Sequence, residues 1–127
     1  MAKTMIRIHE GELNVMELLW SNGALPAKDI AKIIKEYIGW EKNTTYTVIN
    51  RLIKKGAIKR DDPGFICTPL IGKKRVQAIE TEVLLKTLFN GSLSEFILEY
   101  ARSNGLRKEE RMEMERLIRE KTYWKKF

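Results

Sequence analysis

The chain of 127 residues is long enough for one compact domain, or for a small domain with an oligomerisation region, and it can bury a hydrophobic core. Its formal net charge is +7, and 32% of its residues are charged, a fraction typical of helices with solvated faces. A single cysteine (Cys67) and a single histidine (His9) exclude an intrachain disulfide and a multi-cysteine metal site, and since no signal peptide or membrane-spanning run is recognisable, a cytoplasmic protein is expected.

The positive charge is concentrated in the first part of the chain. Residues 1–75 contain 14 Lys and Arg against 8 Asp and Glu, whereas residues 76–127 contain 10 against 9. This asymmetry favours a polyanionic partner for the first part. The alternative is a soluble surface that carries extra lysines.

Two helices are predicted before residue 40, because apolar residues recur there at spacings of three and four. The first helix runs from His9 to Trp20 and is broken by Asn22-Gly23. The second begins with Pro26 in its first turn and ends at Gly39. Its predicted apolar stripe consists of Ile30, Ile33, Ile34, Tyr37 and Ile38.

A third helix is predicted from Asn43 to Gly56, and its two faces differ strongly. At about 100° per residue, one face is apolar and is expected to be buried; it contains Thr45, Val48, Ile49, Leu52 and Ile53. The opposite face is polar and contains Asn43, Thr47, Asn50, Arg51 and Lys54, flanked by Thr44 and Tyr46. No acidic residue occurs from residue 43 to residue 59, which minimises repulsion by phosphates.

The polar face of this helix has the side chains that read duplex DNA. Arginine binds the O6 and N7 atoms of guanine, asparagine binds adenine, and threonine contacts phosphate or the thymine methyl group. Tyr46 can reach a phosphate oxygen, and we expect Lys54 and Lys55, at the end of the helix, to contact the DNA backbone. The alternative is an ordinary solvated face, which more often contains glutamate.

A β-hairpin is predicted directly after the third helix. Ala57 to Arg60 and Phe65 to Leu70 favour strands, and the turn between them is Asp61-Asp62-Pro63-Gly64. Three helices followed by a two-stranded hairpin constitute a winged helix-turn-helix, here predicted as a DNA-binding domain over residues 1–72. Lys59 and Arg60 are expected to contact phosphates, while the acidic tip argues against deep insertion into a groove.

Residues 73–127 are predicted to form a helical dimerisation domain, which makes the fold class mainly α with a small β-hairpin. Three amphipathic helices are expected there, the second capped by Ser92 or Ser94 and the last running from Leu106 to Trp124. Such short helices make a poor core alone, so a second copy of the chain is expected to cover them; packing onto residues 1–72 as a monomer is the alternative. The predicted interface residues are Val83, Leu88, Phe96, Tyr100, Met114, Leu117 and Ile118.

Four segments in this order carry a family resemblance: HEGELNVMELLW, then Trp40 followed by NTTYTVINRLIKKGAI, then LFNGSL, then LRKEERMEMERLI. They resemble the penicillinase repressor family of winged-helix regulators over about residues 6–120. The resemblance implies a homodimeric transcriptional repressor that binds a palindromic DNA operator. It also implies base contacts by Asn43, Thr44 and Tyr46, with Thr47, Asn50 and Arg51 further along the helix.

The chain departs from the family pattern at three points. Many members begin the third helix with Ser-Pro-Lys, where this chain has Glu41, Lys42 and Asn43, and many have Arg or Lys in place of Tyr46, so the operator sequence is not carried over. Copper-responsive members have paired cysteines near the C-terminus, which this chain lacks. Antibiotic-responsive members are cut by a protease; Phe89-Asn90 shows no clear match to a cut site, so a regulatory protease or another inducer is left open as a further partner.

Two other classes of function compete with the repressor. A winged-helix adaptor that binds only proteins would more often show exposed aromatic residues or an apolar patch on its third helix. An enzyme is disfavoured, because no nucleophile and base pair and no glycine-rich phosphate loop is present, and no catalytic residue, metal site or cofactor is predicted. For four further residues a structural role is preferred to a functional one. We interpret Cys67, Trp20 and Trp40 as core residues and His9 as a surface or capping residue.

Overall fold

The computed structural model describes residues 5–125 and divides into two compact units, one up to Val83 and one from Leu84. The outermost residues of both predicted domains, 1–4 and 126–127, lie outside the described part. In chain order the elements are α1 (Glu10–Asn22), β1 (Leu25–Pro26), α2 (Ala27–Tyr37), α3 (Lys42–Lys55), β2 (Ile58–Asp61), β3 (Ile66–Pro69), α4 (Lys73–Phe89), α5 (Leu93–Asn104), α6 (Lys108–Arg119) and a short 3₁₀ helix (Lys121–Tyr123). The predicted division at residue 72 stays a prediction.

The ends of the first three helices follow from local chemistry. The His9 amide donates to the Glu12 carboxylate at 2.9 Å, which satisfies one of the free amides at the start of α1. Pro26 lies immediately before α2, where its missing N–H is harmless. Gly56 ends α3 in the left-handed conformation, with φ of 83°, and its amide donates to carbonyls of the last turn. The predicted order of three helices is therefore confirmed.

The sheet has three antiparallel strands in the order β1-β3-β2, one more than the sequence indicated. The predicted hairpin is present, with Lys59 opposite Thr68 and Arg60 opposite Cys67. The additional strand β1 pairs Leu25 with Cys67. Two residues are too short for an alternating pattern, and this explains why β1 is invisible in the sequence.

One hydrophobic core holds the first unit together. Its buried residues come from the N-terminal segment, from α1 to α4 and from the hairpin: Ile8, Val15, Met16, Leu19, Ala27, Ile30, Ile34, Val48, Ile49, Leu52, Ala57, Ile58, Cys67 and Val76. Trp20 and Trp40 pack against this core, as predicted, and the Trp20 indole donates to the Ile71 carbonyl at 2.9 Å. The core fixes α3 by its apolar face and leaves its polar face outward.

Two predicted helical features are corrected. Tyr37 and Ile38, assigned to the apolar stripe of α2, are exposed, Tyr37 by 83%, because they lie at the helix end beyond the buried residues Ile30 and Ile34. The last helix ends at Arg119 rather than at Trp124. There the backbone becomes extended at Glu120, and the Trp124 indole donates to the Ile118 carbonyl at 2.8 Å.

The second unit contains the end of α4 together with α5 and α6. Ser92 caps α5 as predicted, since its hydroxyl accepts from the Glu95 amide at 3.1 Å. Phe89 and Phe96 pack edge to face with ring centroids 5.5 Å apart. Within residues 5–125, no helix is both long enough and apolar enough to span a bilayer.

Candidate nucleic-acid interface

The two faces of α3 separate as the helical spacing predicts. Thr45, Val48, Ile49 and Leu52 are buried, and Ile53 is half-buried. The polar positions, in contrast, are all exposed: Asn43, Thr44, Thr47, Asn50, Arg51 and Lys54. The structure therefore brings these six predicted contact residues together on one solvent-accessible surface, defined here as the α3 polar face.

Thr47 has one hydrogen-bond function already in use. Its hydroxyl donates to the Asn43 carbonyl at 2.9 Å, one turn earlier in the helix. The hydroxyl oxygen keeps lone pairs that can accept a hydrogen bond, and the methyl group remains available for an apolar contact. Thr47 can therefore contact a thymine methyl, but it is a poor donor to phosphate.

Tyr46 lies at the border of the α3 polar face and joins the helix to the hairpin. Its half-buried ring meets Phe65 edge to face, with centroids 5.7 Å apart and an interplanar angle of 82°. The Lys42 ammonium lies 5.6 Å from the Tyr46 ring, and the Arg60 guanidinium lies 3.6 Å from the Phe65 ring. The Tyr46 ring thus packs between α3 and the wing, which is the β2–β3 hairpin with its turn. The presence of a tyrosine at this position does not by itself predict this packing role.

The two wing residues that are predicted to contact phosphates are exposed, but each forms an ion pair with an acidic side chain of the wing. Lys59 pairs with Asp61 at 3.5 Å, and Arg60 pairs with Asp62 at 3.1 Å. Both pairs are solvent-exposed, so each is weak and can be exchanged for a phosphate contact. The acidic partners still lower the positive potential at the wing relative to α3.

Lys55 requires a correction, because its ammonium is used inside the protein. It donates to the Glu12 carboxylate and, at 2.7 Å, to the Arg7 backbone carbonyl. Burial raises the pKa of the Glu12 carboxyl, but the Lys55 ammonium and the His9 amide stabilise the carboxylate and hold that pKa below its ordinary value. Lys55 is therefore not available to contact DNA; it anchors the end of α3.

Four lysines outside the predicted set lie on α2 and at the start of α3. Lys28, Lys32 and Lys35 of α2, together with Lys42, surround a surface depression whose remaining lining residue is Ala31. None of these four lysines is among the predicted DNA contacts. The signal was present in the sequence, however, because spacings of four and three place residues 28, 32 and 35 on one side of a helix.

The predicted interface residues of the C-terminal region lie mostly on the surface. Leu88, Tyr100, Leu117 and Ile118 are exposed, Leu88 by 69% and Ile118 by 64%. The remaining three, Val83, Phe96 and Met114, are half-buried. No described residue of α5 or α6 is fully buried, so much apolar surface of these helices faces solvent in the single chain.

Cys67 is a core residue, as predicted. Burial raises the pKa of its thiol to about 11, although the positive charge of Arg60 acts in the opposite direction. The thiol is therefore protonated at neutral pH and poorly reactive. In the described range no group of three or more His, Cys, Asp or Glu side chains is placed to hold a metal ion.

The penicillinase repressor family model matches residues 8–120. The chain belongs to this family. It is 28% identical over 120 residues to the penicillinase repressor of Bacillus licheniformis, a match that covers 93% of this chain and 94% of that protein. It is 24% identical over 116 residues to the methicillin resistance regulatory protein MecI of Staphylococcus aureus (strain N315), with 90% and 94% covered.

A solved structure supports the same assignment. The solution structure of the DNA-binding domain of the repressor BlaI is similar with a TM-score of 0.53 and 30% identity, and the match covers 58% of this chain and 93% of that chain. The predicted winged-helix fold and the predicted membership of the penicillinase repressor family are thereby confirmed. The names of these relatives, repressors and regulatory proteins, also agree with a protein that is not an enzyme.

Proposed function

We propose that the protein is a transcriptional repressor of the cytoplasm that binds a palindromic DNA operator as a homodimer. The observation that carries this proposal is the α3 polar face: six exposed polar residues without an acid, on a helix whose other face is anchored in the core. A rigid helix with this composition matches the major groove in size and in hydrogen-bonding chemistry.

The proposed division of labour on α3 follows from side-chain chemistry. Arg51 and Asn50 are the base-reading candidates, because guanidinium and amide groups bind purine edges in pairs of hydrogen bonds. Asn43, Thr44 and Thr47 flank them in the first turns, and Tyr46 offers its hydroxyl to a phosphate while its ring holds the wing. The proposed phosphate contacts are Lys54, Lys59 and Arg60.

The named relatives support DNA as the partner. BlaI has a structurally similar DNA-binding domain, and the Bacillus licheniformis relative is a penicillinase repressor. The alternative of a protein-binding adaptor is disfavoured by the α3 polar face, which has no exposed aromatic residue. An exposed and acid-free surface is instead suited to a polyanion.

We further propose that residues 1–72 are the DNA-binding domain and that residues 73–127 form the dimer. The exposed apolar residues of α4 to α6, with Leu88 and Ile118 the most exposed of the predicted interface, are suited to burial against a second copy. Two copies related by a twofold axis present two α3 helices, which is the symmetry of a palindromic operator.

The test is a selection of random duplex DNA on the purified protein, read by sequencing, together with its mass in solution from sedimentation equilibrium. We expect one enriched palindrome and the mass of a dimer. Absence of enrichment at both low and moderate salt would contradict the repressor and favour the adaptor. An enriched single half-site bound by a monomer would contradict the dimer alone.

A further inference from the structure

A row of four lysines runs along α2 to the start of α3. Lys28, Lys32 and Lys35 occupy one side of α2, and Lys42 is the first residue of α3. All four are exposed and surround the small side chain of Ala31. We call this surface the α2 lysine row.

The α2 lysine row is poorly neutralised by the protein itself. Within the described residues, Glu41 is its single ion-pair partner and binds Lys35 at 3.0 Å. The acids of α2, Asp29 and Glu36, lie three residues before and four after Lys32, but in the described part of the chain neither forms an ion pair with the row.

The row is continuous with the α3 polar face. Lys42 belongs to the row, immediately precedes Asn43, and lies against the Tyr46 ring at 5.6 Å. In helix-turn-helix proteins the helix before the recognition helix crosses the sugar-phosphate backbone. A line of ammonium groups at this place has the charge that phosphates bind.

We propose that the α2 lysine row is a second phosphate-binding surface, which holds the backbone of the DNA duplex beside the bases contacted by α3. This inference rests on the proposed function and extends it to residues that carry affinity without base recognition. Glu41 limits the surface, because its carboxylate occupies Lys35 and repels phosphate at the start of α3.

The test compares charge-matched variants on the selected operator across a salt series. Replacing Lys28→Ala and Lys32→Ala together should make the slope of log affinity against log salt shallower, by about 0.9 for each phosphate that is no longer bound and about 3.6 for a dimer. The preference for the operator over an unrelated duplex should stay within about twofold, since phosphate contacts carry no sequence information.

The control removes the same two charges elsewhere, with Lys86→Ala and Lys121→Ala, both exposed and in the second unit. Its slope should stay near that of the original protein. If the Lys28 and Lys32 variant behaves like this control while the original protein binds its operator, the inference is overturned and the repressor stands. If the original protein binds no DNA, the proposed function itself has failed.

A third variant should change affinity in the opposite direction. Glu41→Gln removes the carboxylate that holds Lys35 and should strengthen operator binding at low salt, with a slope steeper by about 0.9 for each protomer. Circular dichroism and thermal melting verify that every variant is folded. An unchanged slope in Glu41→Gln would overturn the role of Lys35 in the surface.

Discussion

The two units of the molecule bury their apolar residues very differently. Every fully buried hydrophobic residue of the described chain lies before Val83, from Ile8 to Ile79. From Leu84 onward no described residue is fully buried, and leucine, isoleucine and aromatic side chains are exposed along α4 to α6. The first unit encloses a hydrophobic core, whereas the second leaves apolar surface exposed in the single chain.

This difference shows what an amphipathic helix does and does not specify. Both α3 and α6 have one apolar and one polar side, but in α3 the apolar side is enclosed by the core and in α6 it is not. The apolar side of α3 therefore stabilises the monomer, and its polar side is free for a ligand. For α6 the exposed apolar side is the proposed contact surface.

The largest effect on stability is expected from a substitution that creates a cavity in the core of the first unit. Leu52→Ala, at a position with 0% exposure, should lower the free energy of unfolding by about 2–5 kcal/mol. Urea denaturation measures this value. Lys54→Ala on the exposed side of the same helix is the control and should change it by less than about 0.5 kcal/mol. Equal small effects would mean that the first unit lacks the enclosed core described above.

A slightly smaller effect is expected from the ion pair beneath α3. Lys55→Ala leaves the Glu12 carboxylate buried without its partner and should lower the free energy of unfolding by about 3 kcal/mol at pH 7. The folded protein lowers the pKa of Glu12 from 4.5, so the pair stabilises above that pH, and its contribution is lost as the pH falls through the lowered pKa.

Urea denaturation from pH 7 to pH 3 measures this dependence, and the difference between the original protein and Lys55→Ala should shrink in acid. Glu12→Gln is the companion variant and should remove the pH-dependent part of the free energy of unfolding that the Glu12 carboxyl contributes. If the difference in unfolding free energy between the original protein and Lys55→Ala grows as the pH falls, the stabilising role of the Lys55–Glu12 ion pair is contradicted.

The third effect is expected from a charge placed on the exposed apolar side of α6, in the second unit. Leu117→Asp, at a position with 40% exposure, should leave the first unit folded but weaken self-association. Operator affinity should then fall by roughly 100-fold, because the second half-site is no longer tethered. Sedimentation equilibrium and a DNA-binding titration measure the two quantities.

Arg119→Asp is the matched control, since it introduces the same side chain on another side of α6 and should keep the dimer. Tight operator binding by a demonstrated Leu117→Asp monomer would refute the proposed role of the second unit.

The smallest effect, counted for a single half-site, concerns the exposed side of α3. Arg51→Ala should weaken operator binding by about 1–3 kcal/mol per half-site and relax the preference at one base position, if the guanidinium reads a base. A titration of operator variants measures both changes, and the free energy of unfolding should be nearly unaffected. A loss that is uniform across operator variants would assign Arg51 to phosphate, and unchanged affinity would remove it from the interface.

Much of the fold and of the candidate interface is predictable from local sequence patterns. The spacing of Val48, Ile49 and Leu52 indicates which side of α3 is buried, and glycine marks the end of that helix. In contrast, β1 is too short to have a pattern, and its strand character depends on pairing with β3. Tyr37 fits the helical period of α2, yet it is exposed because the core does not extend to the helix end.

The roles of Lys55 and Tyr46 show why side-chain type does not identify partners. Both residues are polar or amphipathic and lie on the helix that is proposed to meet DNA. Lys55 is instead bound to Glu12, which is 43 positions away in sequence, and the Tyr46 ring packs on Phe65 across the turn into the hairpin. Such contacts between distant segments have no local signature, so residue spacings and charges do not predict them.

The sequence by itself determined the helical periods, the acid-free polar face of α3, the concentration of positive charge in the first part and the family. These are properties of neighbouring residues, which the helix geometry converts directly into faces. Only the tertiary structure decided which lysines stay free, since Lys55 is held by a buried carboxylate while Lys28 and Lys32 of α2 and Lys42 at the start of α3 are exposed. The physical reason is that burial and charge compensation depend on which segments meet in space.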